Sequence, residues 1–383
     1  MRVALTVLAV WCAGLGAAAQ FGKMSVLYDT LLVRYAGHSP VEIGLIVSIV
    51  GIVGLIFGTT AGLMVARLGV RRVMVSALAV GALMSVLQAL DLSYPLIILS
   101  RVAEGFSHLA IVVVGPTVMA AVASDRFRGM VMTLWSSFFG VAYSLLALFG
   151  PWEAQSLFFG HALWMAVLTG VLWGLLPADQ AAPPNRSGGN ILRQHLEIYR
   201  SPRMSAPALG FFCYTFLYVA MLTLLPPEMP GGYRTAAATA MPFFSIAVSL
   251  TIGVWLLSRV SPVRLVQFGY ALAIPPMILL WLGSGQGGVM MAAGLWLSSA
   301  LGLVQGASFA SIPALNATPE ARARAAGAIA QLGNLGTTSG TPVLAAVILS
   351  AGPTGLGLIG CAACLVGISL HAIQERRRQI LST

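Results

Sequence analysis

Three side chains in the apolar stretch 94–122 have the types and spacing to do chemistry: Arg101, Glu104 and His108. Intervals of three, four and seven residues put them on one face of a helix. A charged group at bilayer depth costs about 2.5–3.5 kcal/mol even on lenient insertion scales, so each needs a reason to be there. Glu104 is the only carboxylate that falls deep in an apolar stretch, and Arg101, one turn away, lowers the desolvation cost of both by pairing with it. Protonating Glu104 would free Arg101 to hold an anion or open a water path. His108 is placed to relay protons or to hydrogen-bond a solute. A static ion pair that only fixes the helix is the alternative. Lys23, with Gln20 one turn before it, is the next candidate: a cation held inside an apolar helix would attract an anionic group. The alternative for Lys23 is to snorkel from its helix end to the interface.

Polar candidates in the second half of the chain are Tyr214 and Tyr218, one turn apart, then Gln305, Gln331 and Asn334. Stacking or hydrogen bonding to a ligand competes with plain packing for the tyrosines. No ionisable residue of that half is expected deep in a span. In the first half, Trp135, Tyr143 and His161 are weaker candidates. Gly333, Gly336 and Gly340, spaced by three and four before Pro342, permit close helix approach and a bend. Such a helix either moves or packs statically. Cys12, Cys213, Cys361 and Cys364 lie in apolar segments and read as small fillers. No Walker loop, metal-ligand cluster or nucleophile elbow is evident, so neither a metal nor a cofactor is expected, and no enzyme chemistry.

The elements that must carry these residues follow from composition. Of 383 residues, 58% are hydrophobic and 8% charged, against roughly a quarter charged in soluble domains. With a mean hydropathy of +0.89, lipid is the expected solvent. About 20 apolar residues cross a bilayer, and twelve such stretches are read: 3–28, 41–65, 71–90, 94–122, 129–150, 156–176, 205–225, 236–258, 264–283, 287–312, 324–350 and 354–373. Helices are the element expected, because open strands leave backbone groups unpaired in hydrocarbon. The fold class expected is an all-α polytopic membrane protein with twelve transmembrane helices. The first stretch looks like a signal peptide up to Ala17-Ala18-Ala19, but its apolar character continues, and a retained helix is expected.

Threading the twelve with the N-terminus inside puts seventeen of the twenty arginines on the cytoplasmic side, leaving Arg34 and Arg234 outside and Arg101 within. That bias fixes the direction and implies an inner (cytoplasmic) membrane protein with both termini in the cytoplasm. It also removes the nucleic-acid reading of the +10 net charge, since the arginines recur between apolar runs rather than in one patch. The expected division is 1–177, a six-helix bundle; 178–203, a cytoplasmic linker; and 204–383, a second bundle with a basic tail. The linker opens with a Pro/Gly/Asn-rich run, and its amphipathic 191–200 segment is expected along the inner membrane surface.

A weak internal repeat joins the halves: Ala66–Arg72 is echoed by Ser258–Arg264, and Glu104-Gly105-Phe106-Ser107 by Gln305-Gly306-Ala307-Ser308. Gly62-Leu63-Met64-Val65-Ala66-Arg67-Leu68-Gly69-Val70-Arg71-Arg72 resembles the loop between helices 2 and 3 of the major facilitator superfamily, and Arg101-Val102-Ala103-Glu104-Gly105 its helix-4 motif. The acidic residue of that loop is Ala66 here, which leaves the family's cytoplasmic latch without its carboxylate. The helix-5 Gly-Pro pattern of drug/proton antiporters is not evident. The resemblance implies two pseudo-symmetric six-helix bundles, a central cavity lined by helices 1, 4, 7 and 10, and conformational gating through Gly62, Arg67, Gly69, Arg71 and Arg72. It implies a secondary carrier working by alternating access, with one solute site near mid-membrane. With Lys23 and Arg101, the expected partners are a small organic anion and a coupling proton, in a monomer. Export of amphipathic drugs or metabolites, and a non-transporting sensor or assembly factor, are the alternatives.

Overall fold

Capping chemistry starts several of the helices. Ser39 accepts from the Glu42 amide at 3.3 Å while Glu42 takes the Ser39 amide at 2.7 Å, a reciprocal box with Pro40 at the first helical position. Ser261 and Thr318 accept from the amides three residues on, each followed by Pro. Glu153 caps its helix through the Gln155 and Ser156 amides at 3.1 and 2.6 Å, and the Ser156 side chain together with these amides holds its carboxyl below the ordinary range.

The computed structural model describes residues 2–61, 65, 68–150, 152–179 and 191–380, and the elements described are helices. They are α1 Arg2–Val26, α2 Pro40–Phe57, α3 Val70–Gln88, α4 Tyr94–Val122, α5 Phe138–Leu148, α6 Ala154–Leu175, α7 Ser205–Leu224, α8 Gly231–Leu257, α9 Pro262–Leu282, α10 Gly287–Leu315, α11 Pro319–Ala351 and α12 Thr354–Ile380. All but α5 are long and apolar enough to cross a membrane, so the chain is a multi-pass membrane protein. The expected stretch 129–150 differs. A polar helix, Asp125–Ser136, turns at Ser137 into the shorter apolar α5. The chain divides into two compact units, Met1–Arg186 and Ser187–Thr383.

In the first unit α1 packs against α4, α5 and α6. Small residues allow the approach: a Cβ at Gly22 would meet Leu146 at 2.6 Å, and one at Gly14 would meet Trp135 at 3.0 Å. α2 breaks into a 3-10 turn at Ile49–Gly51, against which Gly105 of α4 is packed, its missing Cβ leaving room for Val50 and Val53. In the second unit α7 lies along α11 and α9 along α10 and α12. α8 contains a π turn at Ser249–Gly253, and α11 continues through Pro342.

Candidate functional site

The first stretch of α2 ends at Ser48, which frees its last carbonyls. Arg101 takes two of them: Nε donates to Ile46 O at 2.9 Å and Nη2 to Val47 O at 3.1 Å. This aims Nη1 at Glu104 Oε2, one turn along α4. The same oxygen accepts from Gln88 Nε2 at 2.9 Å. The other carboxylate oxygen, Oε1, accepts from Lys23 Nζ of α1 at 2.6 Å. Lys23, Arg101 and Glu104 each have no exposed surface, so Lys23 does not snorkel to an interface. Of the described residues they are the only buried Lys, Arg or acidic side chains. The cluster therefore holds two cations against one carboxylate, a surplus of one positive charge inside a bundle. Desolvating such ions costs several kcal/mol each, which pairing alone does not recover unless the remaining bonds are satisfied.

A second layer completes those bonds. Lys23 Nζ donates to Ser85 Oγ of α3 at 2.5 Å, and Ser85 Oγ lies 2.6 Å from His161 Nδ1 of α6. His161 Nε2 is 2.9 Å from Gly16 O. A carbonyl only accepts, so Nε2 carries the proton, and Nδ1 of a neutral ring accepts from Ser85. Gln20 Nε2 donates to Ser107 Oγ at 2.9 Å. His108 turns elsewhere: its Nδ1 donates to Ala17 O at 3.0 Å and its ring meets Phe21 edge-on. The expected Arg101–Glu104–His108 face is thus a pair joined by Lys23, with His108 fastened to α1. Ser85 and Gln88 are absent from the residues that sequence spacing singles out, and His161 ranks too low among them. Ser85 and Gln88, one turn apart in an apolar stretch, were the available signal. The carbonyl oxygens of Gln20 and Gln88 are buried without a partner among the described residues.

The other solute-binding candidates belong to the second unit. Tyr214 and Tyr218 stack at 5.1 Å and are buried in the second unit. Gln305 is half-buried. Asn334 donates to its own helix at Ala330 O, 2.7 Å. Gln331 Oε1 accepts from Tyr199 of the helix Ile191–Arg200 at 2.8 Å, and burial pushes that phenol up to about 12. Gly333, Gly336 and Gly340 face α7: a Cβ at Gly333 would meet Phe211 at 2.9 Å, and one at Gly336 the backbone of Phe212 and Phe216 at 2.5 and 2.8 Å. In this unit His371 of α12, 1% exposed, is a buried ionisable residue that the spacing of the sequence does not single out. A surface cavity of about 480 Å³, lined by Arg34, Tyr35, His38, Asp91 and Tyr94 among others, lies past the far end of α3 and takes in none of the buried charges.

Of the gating candidates, Gly62 and Arg67 lie outside the described residues. Gly69 has φ 94°, open to glycine alone without strain, and a Cβ there would strike the Asp179 carboxylate. That carboxylate accepts from the Arg71 and Arg72 amides at 2.8 and 2.9 Å, while the Arg71 guanidinium stacks 4.3 Å over Trp173. A carboxylate after α6 therefore caps α3, beside a turn whose own acidic position is Ala66.

The Major Facilitator Superfamily model matches residues 6–341. The chain is 25% identical over 356 residues to the Escherichia coli 3-(3-hydroxy-phenyl)propionate transporter, covering 86% of this chain and 84% of that protein. It is 26% identical over 207 residues to the E. coli inner membrane transport protein YajR, 52% of this chain and 45%, less than half, of that relative. In fold it is similar to the human organic anion transporter MFSD10, with a TM-score of 0.74 at 18% identity over 96% of this chain and 99% of that one. It is also similar to a bacterial homologue of the human lysosomal transporter Spinster, with a TM-score of 0.68 at 13% identity over 97% and 93%.

Proposed function

Because the chain belongs to the Major Facilitator Superfamily, we propose that it is a secondary carrier of a small organic anion, driven by the proton gradient through alternating access. The observation that carries this reading is the buried Lys23–Glu104–Arg101 cluster, with its one surplus positive charge. While Glu104 is ionised, both cations are engaged by its two oxygens. A proton on Glu104 removes that attraction and leaves two desolvated donors without a counter-charge, a state of high energy in a low-dielectric interior. A solute carboxylate then replaces Glu104 as their partner. Proton and anion bind together, and a monoanion with one proton moves no net charge.

The relative that carries 3-(3-hydroxyphenyl)propionate makes that aromatic carboxylate the first compound to try, and small carboxylates the class. The arginine bias supports cytoplasmic termini and an inner-membrane location. Accumulation by proteoliposomes under an acid-outside gradient tests the reading. Uptake of 3-(3-hydroxyphenyl)propionate or another small carboxylate is expected, and Glu104→Gln abolishes accumulation while leaving exchange measurable. Full accumulation by that variant removes Glu104 from the mechanism. Flux confined to neutral or cationic solutes removes the anion.

A further inference from the structure

Resting on the proton-coupled reading above, we propose that His161 is a second proton seat, which takes the Lys23 proton through Ser85 when Glu104 becomes neutral. The geometry is a short wire across three helices. Lys23 Nζ is 2.5 Å from Ser85 Oγ, Ser85 Oγ is 2.6 Å from His161 Nδ1, and His161 Nε2 is 2.9 Å from Gly16 O. Lys23 Nζ and His161 Nδ1 are also 3.4 Å apart directly.

The bonds are satisfied with the proton at either end. With Lys23 charged, it donates to Ser85, Ser85 donates to the Nδ1 lone pair, and Nε2–H donates to Gly16. In the transfer the Ser85 Oγ–H proton passes to Nδ1, and an Nζ–H proton passes to Ser85 Oγ. Lys23 becomes a neutral amine whose lone pair accepts from Ser85. His161 becomes an imidazolium whose Nδ1–H donates to Ser85 and whose Nε2–H keeps Gly16. Ser85 ends as it began, and one positive charge has moved from α1 to α6. With a hydroxyl that can reverse its bond on Nδ1 and a carbonyl on Nε2, His161 keeps both hydrogen bonds whether the ring is neutral or protonated.

The direction follows from the charged groups that face the wire: Lys23 on α1, and Glu104 and Arg101 on α4, with the Ser85 hydroxyl contributed by α3. An ionised Glu104 holds the charge on Lys23, in direct contact with it. Once Glu104 carries a proton, Lys23 and Arg101 repel each other across it, and transfer to His161 moves one charge away from Arg101. The solute carboxylate, on arrival, draws the proton back to Lys23.

Nitrogen-15 spectra of the full chain in lipid nanodiscs, labelled at its five histidines, read the wire without a solute. His161→Gln identifies the His161 signals. In the unaltered chain at neutral pH, Nδ1 is expected as an unprotonated acceptor and Nε2 as protonated. Glu104→Gln mimics the neutral carboxyl and shifts Nδ1 to the protonated position, and adding Ser85→Ala returns it. If Glu104→Gln does not fold, acidifying the unaltered chain and its Ser85→Ala variant reads the same event: Nδ1 gains its proton with the Glu104 carboxyl in the first and not in the second. Nδ1 unprotonated throughout overturns the relay, and coupling by Glu104 then stands or falls on the transport assay alone. Full accumulation of 3-(3-hydroxyphenyl)propionate by Glu104→Gln instead sinks the reading beneath it.

Discussion

In the first unit, Lys23, Arg101 and Glu104 share a core with Gln20, Ser85, Gln88 and His161, all buried. In the second, the core is aromatic and glycine-cut: Tyr214 stacks on Tyr218, Tyr270 donates to Gly210 O at 2.6 Å, and α11 lies on α7 through Gly333, Gly336 and Gly340. Apart from tyrosines and cysteines, its one buried titratable side chain among the described residues is His371. The difference separates two kinds of cohesion. The first unit adds to its apolar core a set of buried ions whose balance shifts with a single proton. The second relies on shape without such an ion cluster among the described residues. Under the proposed proton coupling, the ions of the first unit would sense the driving ion and the shape-packed contacts of the second would carry the movement.

The largest effect should come from unbalancing the ions. Glu104→Ala leaves Lys23 and Arg101 buried and unpaired, at a cost of about 3–5 kcal/mol. Glu104→Gln keeps one acceptor oxygen and the volume and should cost less. Thermal unfolding of the purified variants in one detergent ranks them. Equal, small losses for both would mean that the cluster is hydrated, and the contrast between the units would then collapse.

How much of this contrast the sequence discloses depends on the range of each contact. Arg101 and Glu104 are one turn apart, so periodicity alone pairs them. The apolar runs and the arginine bias disclose the helices, because lipid admits few other elements. Lys23 meets Glu104 across 81 positions, and His161 meets Ser85 across 76. Nothing local says that α1 rotates Lys23 inward rather than outward, and spacing within one helix cannot name a partner on another. His371 escapes notice in the sequence because a neutral histidine near a span's end resembles an interface residue. The glycine stripe of α11 is legible as small spacing, but not that α7 would fill it.

Gly336→Leu comes next and acts on the other unit. Even a Cβ there would fall 2.5 Å from Phe212 O and 2.8 Å from Phe216 N, so backbone must shift rather than a side-chain tip. Overpacking costs about 1–3 kcal/mol. Loss of uptake with a lowered melting temperature is expected. Full transport at normal expression and unchanged melting would show that α7 and α11 separate freely, against cohesion by shape.

The smallest effect has the opposite sign, and it sharpens the comparison most. His371 is 1% exposed, and neither ring nitrogen has a hydrogen-bond partner among the described residues. The ring lies against Gly210 of α7, where a Cβ would meet its Cδ2 at 2.7 Å. A buried polar group left unsatisfied costs about 1–3 kcal/mol. His371→Leu removes that penalty at similar volume and should stabilise the protein by about 1 kcal/mol, net of imperfect packing. The same kind of change at Glu104, polar to apolar, destabilises. Opposite signs for two buried titratable groups would place ionic cohesion in the first unit and apolar cohesion in the second. A melting temperature lowered by His371→Leu would mean that the imidazole is bonded after all, and the second unit would then carry a polar anchor of its own near the end of α12.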